Sequence, residues 1–180
     1  FDIAQYAASS TASTSGTSLF PADVVTEIRR FNALSEEGLD AGRALATPRI
    51  ASSPAARREQ IPPFIPKFMH GATGPLIGLG LAYINREFKV NPSAASRYDE
   101  RLEKVLIELS KALDQGKRRY VLDRFTYADI VMAVVLQFIT PVDRGYIPVG
   151  PAMRDCFVHP RLARDFAPLI EWRNRLYENH

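Results

Sequence analysis

The sequence predicts an all-α fold, a helical bundle without a β-sheet. Apolar residues recur at helical spacing in several separate stretches, and the segment from Ser93 to Leu113 has the clearest amphipathic pattern. No stretch shows a convincing strand pattern. A helix-start signal also precedes the apolar run within "DRFTYADIVMAVVLQF" at residues 123–138.

Length and composition fit one ordinary globular domain, because the chain has 180 residues, of which 46% are hydrophobic and 24% charged. The net charge is only +3, and basic clusters such as Lys117-Arg118-Arg119 are scattered, as on solvated helix faces. We therefore expect no nucleic-acid partner. The longest apolar stretches have about half the length that a bilayer requires, so we expect no membrane partner. Cys156 is the single cysteine, which predicts no metal site and fits a cytoplasmic protein.

The sequence predicts that the chain divides into three segments. Residues 1–8 resemble the tail of a helix, residues 9–18 are small and polar and predict a linker, and residues 19–180 form the helical domain. A long helix is predicted after Pro21, with apolar positions at Val24, Val25, Ile28, Phe31 and Leu34. Gly38 and Gly42 weaken its later half, and the prolines at 48, 54, 62, 63 and 66 predict irregular chain.

Four further helices are predicted beyond that irregular segment, and the one that follows Thr126 is described separately below. Gly74 and Pro75 can start one with glycine-spaced apolar residues. The amphipathic segment up to Leu113 follows. The last segment predicts a single terminal helix with apolar positions at Leu162, Phe166, Leu169, Ile170 and Leu176.

Asp129 stands at the head of the apolar run, where Thr126 and Asp129 have the spacing of a capping box. Phe125 and Ile130 occupy the positions of the hydrophobic staple that accompanies such a box. No second carboxylate or histidine lies at helical spacing from Asp129, which favours a structural role over a catalytic one. The residues that follow leave no polar face, so we expect this helix to be central and surrounded by others.

The same run, "RFTYADI", resembles the start of the central helix of the cytosolic glutathione transferases. "LFP" at residues 19–21 resembles the entry to the first helix of that family's C-terminal domain, and "FDIAQYAA" resembles the end of its N-terminal domain. "HPRLARDFAPLIEWRNRL" resembles the closing segment, with matching Pro160, Leu162, Phe166 and Trp172. One departure is Leu122, where family members usually carry glycine.

The resemblance implies a C-terminal helical domain that supplies the pocket for a small hydrophobic electrophile and part of a homodimer interface. Glutathione would be the co-substrate, bound mainly by a thioredoxin-like domain that we expect to precede Phe1. We therefore assign no catalytic residue in this chain. Candidate substrate-binding residues are Ile28, Phe31 and Asn32 of the first long helix, with ordinary core or surface positions as the alternative.

Three functions fit this resemblance. The first is a glutathione transferase acting in detoxification, which is an enzyme when the thioredoxin-like domain is present. The second is a non-catalytic binding or assembly module of the same family. The third is a helical domain with an unassigned binding role.

Overall fold

The computed structural model describes residues 1–5, 18–61 and 94–179, and every regular element in these ranges is helical. The all-α prediction is confirmed. Within these ranges residues 2–5 are helical, and seven further α-helices follow: α1 Val25–Ser52, α2 Pro54–Glu59, α3 Ala95–Ala112, α4 Tyr127–Val135, α5 Pro151–Phe157, α6 Pro160–Asp165 and α7 Ala167–Asn179. A short 3-10 helix, Leu136–Phe138, continues α4. No helix in the described ranges has both the length and the apolar character needed to span a membrane.

The main core forms where α1 packs against α3 and α4. The amphipathic stripe of α3 is buried as its spacing predicts, and the buried positions are Leu102, Val105, Leu106 and Leu109. Trp172, Leu169 and Leu176 of α7 complete the same cluster. Helix α4 therefore has the core on one side, through Met132 and Val135.

Helix α1 continues to Ser52, so the prediction of irregular chain around Pro48 is wrong. Pro48 lies in the penultimate turn, where its missing N–H costs one hydrogen bond near the helix end. Ala46 and Ile50 on either side of it are buried against Ala56 and Cys156, which holds the turn helical. Pro54 starts α2 as its first residue, and the hydroxyl of Ser53 accepts the N–H of Ala56 at 3.2 Å.

Gly38 and Gly42 are where α1 meets the end of α4. A β-carbon at Gly38 would lie 2.7 Å from Val135 Cγ1, and one at Gly42 would lie 2.6 Å from Phe138 Cβ. The two glycines therefore permit a close helix crossing. From the sequence, the two glycines indicated only a less stable second half of this helix and not the contact with α4.

The terminal segment forms two helices, which corrects the prediction of one. Helix α6 ends at Asp165, and α7 begins at Ala167. Pro168 has no N–H to donate to the carbonyl of Arg164, so a continuous helix would lack that bond. Phe166 accordingly leaves the helical conformation, with φ −116° and ψ 30°.

The predicted linker lies largely outside the described residues, as do Pro62, Pro63, Pro66 and the helix predicted from Pro75.

Candidate functional site

The start of α4 is organised around the carboxylate of Asp129, which is 0% exposed. Its Oδ2 accepts the N–H of Thr126 at 2.8 Å and the hydroxyl of Thr126 at 3.2 Å. The Thr126 side chain faces the N–H of Asp129, so both halves of the capping box are present. Asp129 is therefore engaged with main-chain and hydroxyl donors at the positive end of the helix.

A third donor comes from the chain before the helix. The N–H of Val121 donates to Asp129 Oδ1 at 2.8 Å, which ties the 113–126 connection to α4. Burial raises the pKa of Asp129 above its ordinary value, and the bonds from Val121 and Thr126 offset part of that rise. No sequence signal pointed to Val121, because an apolar residue in a connection offers only its main chain.

The entry segment also meets α4 at its first residue. The N–H of Tyr127 donates to the carbonyl of Leu19 at 3.0 Å. The ring of Phe20 lies 4.9 Å from that of Tyr127, and the ring of Phe1 lies 5.4 Å from that of Phe20. The "LFP" segment is thus packed onto the same helix start as the capping box.

The far end of α4 is closed by Arg173 of α7, which the sequence did not single out. Its guanidinium is buried and donates to the carbonyls of Leu136, at 3.3 Å, and of Thr140. Burial lowers the pKa of Arg173 to about 10. Basic side chains stabilise helix C-termini in this way, so α4 is held at both ends by buried polar groups.

An apolar groove lies along the outer face of α4. Ile130 is 36% exposed and Val134 is 39% exposed, so the expectation that other helices surround α4 is wrong on this face. The groove has a volume of about 670 Å³. Its lining consists of Phe125, Ile130, Ala133, Val134, Tyr146, Leu176 and Tyr177.

The polar groups of this groove are two tyrosines at its rim. The rings of Tyr146 and Tyr177 are 5.2 Å apart, and the hydroxyl of Tyr177 accepts the side-chain N–H of Gln137 at 3.3 Å. In the part of the chain that the structure describes, no carboxylate, histidine or cysteine lines the groove. Such a surface can bind an apolar molecule and orient it by one or two hydrogen bonds.

The predicted substrate-binding residues lie elsewhere. Ile28 is 0% exposed and Phe31 is 1% exposed, and both belong to the main core. Asn32 donates to Glu36 Oε1 at 2.9 Å on the same helix. Ile28 and Phe31 have no surface left for a substrate in this arrangement, so the packing favours the core alternative.

The two staple residues share the groove. Phe125 and Ile130 both line it, and the ring of Phe125 packs 5.8 Å from that of Tyr120. Direct contact between the two staple residues stays a prediction.

Two further groups limit the chemistry. Burial, together with the charge of Asp155, raises the pKa of the Cys156 thiol, which disfavours its thiolate. Among the described ranges, no cluster of three His, Cys, Asp or Glu side chains has metal-binding geometry.

Residues 92–175, which include α3 to α6 and most of α7, match the family model described as "Glutathione S-transferase, C-terminal domain". Searches against curated proteins and against solved structures gave no match.

Proposed function

We propose that the protein conjugates glutathione to a hydrophobic electrophile, because residues 92–175 belong to the family of glutathione S-transferase C-terminal domains. In this proposal the helical domain holds the electrophile, and a thioredoxin-like domain binds glutathione. The apolar groove on α4 is the observation that carries the proposal. The proposal places the substrate in this groove, whereas a role for Ile28, Phe31 and Asn32 stays a prediction.

The groove suits this role through its size and its lining. A volume of about 670 Å³ lies within the range of small-molecule sites, about 300–1,000 Å³. Ile130 and Val134 offer apolar surface on a helix whose two ends are fixed by Asp129 and Arg173. The side chains that would touch the substrate are therefore positioned before it binds.

The chemistry would come from glutathione itself. Its thiolate attacks the electrophilic carbon, a carbon–sulfur bond forms, and the leaving group departs with its electron pair. For an aryl halide the products are the thioether and halide ion. In this proposal a hydrogen bond from the thioredoxin-like domain lowers the pKa of the thiol.

The test uses the full-length protein, glutathione and a generic aryl halide. Ile130→Ala removes apolar contact area from the groove, so we expect the KM for the aryl halide to rise about fivefold, with the KM for glutathione unchanged. Ile107→Ala is the matched control, because Ile107 is 39% exposed on α3 and does not line the groove. Equal effects of the two variants would remove the groove from the proposal.

A non-catalytic binding or assembly module is the second candidate. The observation that favours it is the groove lining, which is apolar or tyrosine and suits binding better than bond making. Retention on glutathione resin without conjugation of the aryl halide would support this module. A full-length protein that is neither retained on the resin nor able to conjugate the aryl halide would exclude the enzyme.

Homodimer formation and a cytoplasmic location are part of the proposal. The exposed apolar face of α4 favours association, so we expect a dimer by sedimentation at micromolar concentration. A strictly monomeric profile would contradict this.

The single, buried Cys156 suits a reducing compartment, and cell fractionation would test the location.

A further inference from the structure

A second surface pocket lies between the 113–126 connection and α7, and it adjoins the apolar groove at Leu176, which lines both. Its volume is about 410 Å³, again within the range of small-molecule sites, about 300–1,000 Å³. The lining consists of Lys117, Arg118, Arg119, Tyr120, Trp172, Arg175, Leu176 and Asn179. The basic triplet at 117–119 is therefore in a turn over Trp172, and the interpretation as a solvated helix face is wrong.

Among the described residues, the lining carries four cationic side chains and no carboxylate. Lys117 has Asp114 at 3.7 Å and Arg118 pairs with Asp123, but both of these acidic side chains are outside the lining and mostly exposed. Neither Arg119 nor Arg175 forms an ion pair with a described residue. Two guanidinium groups thus face one concave surface without a counter-charge from the described part of the chain.

Main-chain contacts hold these cations in place. The guanidinium of Arg175 donates to the carbonyl of Gly116 at 3.0 Å, and Trp172 Nε1 donates to the carbonyl of Arg119 at 3.0 Å. Gly116 has φ 86°, and a β-carbon there would lie 2.9 Å from the carbonyl oxygen of Pro168. The turn is therefore fixed against α7, which lowers the entropy cost of binding an anion.

The pocket also presents apolar and aromatic surface. The guanidinium carbon of Arg119 lies 5.1 Å from the ring centroid of Tyr120, so the charge is placed beside an aromatic face. Trp172 and Leu176 form the floor. A ligand with an anionic group and a small aromatic or apolar body would match both halves of this lining.

We propose that this pocket binds a small organic anion, namely a phosphate or sulfate monoester with an aromatic body. Guanidinium groups recognise the oxygens of such groups through paired, charge-assisted hydrogen bonds. The aromatic body would pack beside Tyr120. The pocket shares only Leu176 with the described lining of the groove on α4, and the proposal does not depend on glutathione transfer.

The test is calorimetric titration of the protein with phenyl phosphate at low ionic strength, with Trp172 fluorescence as a local reporter. Trp172 is the only tryptophan in this sequence and lines the pocket. We expect saturable binding with a change in Trp172 emission. Arg119→Gln and Arg175→Gln each remove one charged donor from the surface of the pocket, so each should weaken binding about tenfold.

Arg164→Gln is the matched control, because it removes the same charge from an exposed position outside the pocket. We expect no more than a twofold effect from it, and higher salt should weaken binding to the wild type. Benzyl alcohol, which has no charge, should not bind measurably, and inorganic phosphate should bind more weakly than phenyl phosphate.

Three outcomes would overturn the proposal. The first is no saturable binding of phenyl phosphate at millimolar concentration. The second is equal weakening by Arg164→Gln and the two pocket variants, which would indicate attraction by net charge alone. The third is equal affinity for phenyl phosphate and either inorganic phosphate or benzyl alcohol. Thermal unfolding of each variant identifies any loss that comes from misfolding.

Discussion

Asp129 and Asp99 both bind the first residues of a helix, Asp129 those of its own helix α4 and Asp99, from within α3, those of α6, but their surroundings differ. Asp129 is 0% exposed and accepts hydrogen bonds from the uncharged donors of Thr126 and Val121. The side chain of Asp99 is 30% exposed and lies between two donors that start α6, His159 Nε2 at 2.5 Å and Arg161 at 2.9 Å. The carboxylate of Asp129 is held mainly by main-chain donors in the core, and that of Asp99 by the side chains of His159 and Arg161 near the surface.

The pKa values of the two groups shift in opposite directions. Burial raises the pKa of Asp129. Burial acts in the same sense on Asp99, but the hydrogen bonds from Arg161 and His159 outweigh it and hold the pKa of Asp99 below its ordinary value. A carboxylate can therefore fix a helix start either in the core, where its desolvation is costly, or near the surface, where charged or polar side chains stabilise it.

The helix caps differ in the same way. Thr126 is the N-cap of α4, and its completely buried hydroxyl donates to the carboxylate of Asp129. His159 caps α6 by accepting the N–H of Leu162 on Nδ1 at 3.3 Å, so its Nε2 carries the hydrogen that faces Asp99. The cap of α6 is therefore linked to α3 by a side chain, whereas the cap of α4 is local.

The largest expected effect is that of Asp129→Ala. This change leaves the N–H groups of Val121 and Thr126 without their acceptor in the core, and each costs about 1–3 kcal/mol. We expect the free energy of unfolding to fall by about 3 kcal/mol in urea denaturation. Asp155→Ala is the control, because Asp155 is exposed, and its effect should stay within about 0.5 kcal/mol. Equal midpoints for the two variants would show that the buried carboxylate contributes nothing to stability.

Thr126→Ala should have the next largest effect. It removes the cap but leaves Asp129 able to accept from Val121, so we expect a loss of about 1 kcal/mol, within a range of about 0.5 to 2. Thr126→Ser keeps the hydroxyl and should retain most of the stability. The assignment of the cap fails if serine and alanine at this position have the same urea midpoint.

Asp99→Asn should have a smaller effect, less than about 1 kcal/mol, because its ion pairs are partly exposed. The loss should shrink between about 0.1 M and 1 M salt, whereas the effect of Asp129→Ala should not change. Urea denaturation at the two salt concentrations measures both. A salt-independent effect at Asp99 would contradict the contrast between the two carboxylates.

The smallest effects are the pH dependences, which should have opposite signs. The pKa of Asp129 is raised in the folded state, so the cost of its charge is present at neutral pH and declines as the pH falls toward 3.8. Wild type should gain stability relative to Asp129→Asn in that window. The pKa of Asp99 is lowered, so its contribution is complete above pH 3.8 and is lost below it. The measurement is the free energy of unfolding of wild type, Asp129→Asn and Asp99→Asn between neutral and acid pH. If the difference from wild type changed with pH in the same direction for both variants, this contrast would be absent.

The local parts of the fold were predictable because their partners are close in sequence. Thr126 and Asp129 are three residues apart, and the capping box needs no other element. Helix α3 was predictable because its stripe repeats with helical spacing, and the helix observed, Ala95–Ala112, lies within the predicted segment. These features depend on the order of residues within a few turns.

The features that the sequence did not reveal depend on contacts between distant segments. The helical course through Pro48 follows from packing against Cys156, about a hundred residues later. An all-apolar helix also looks the same in sequence whether one face or every face is buried. The exposure of Ile130 and Val134, and with it the groove, therefore required the arrangement of α4 and α7.

The close crossing at Gly38 and Gly42 links two opposite sides of the domain. Helix α1 contacts Val135 of α4 there, whereas Ile130 and Val134 of the same helix are partly exposed in the groove. A methyl group at Gly38 would lie 2.7 Å from Val135 Cγ1 and one at Gly42 would lie 2.6 Å from Phe138 Cβ, so α4 or the turn that continues it would have to shift, and any shift of α4 moves Ile130 and Val134 as well. The shape presented to a bound molecule is thus set partly by two residues that the molecule never touches.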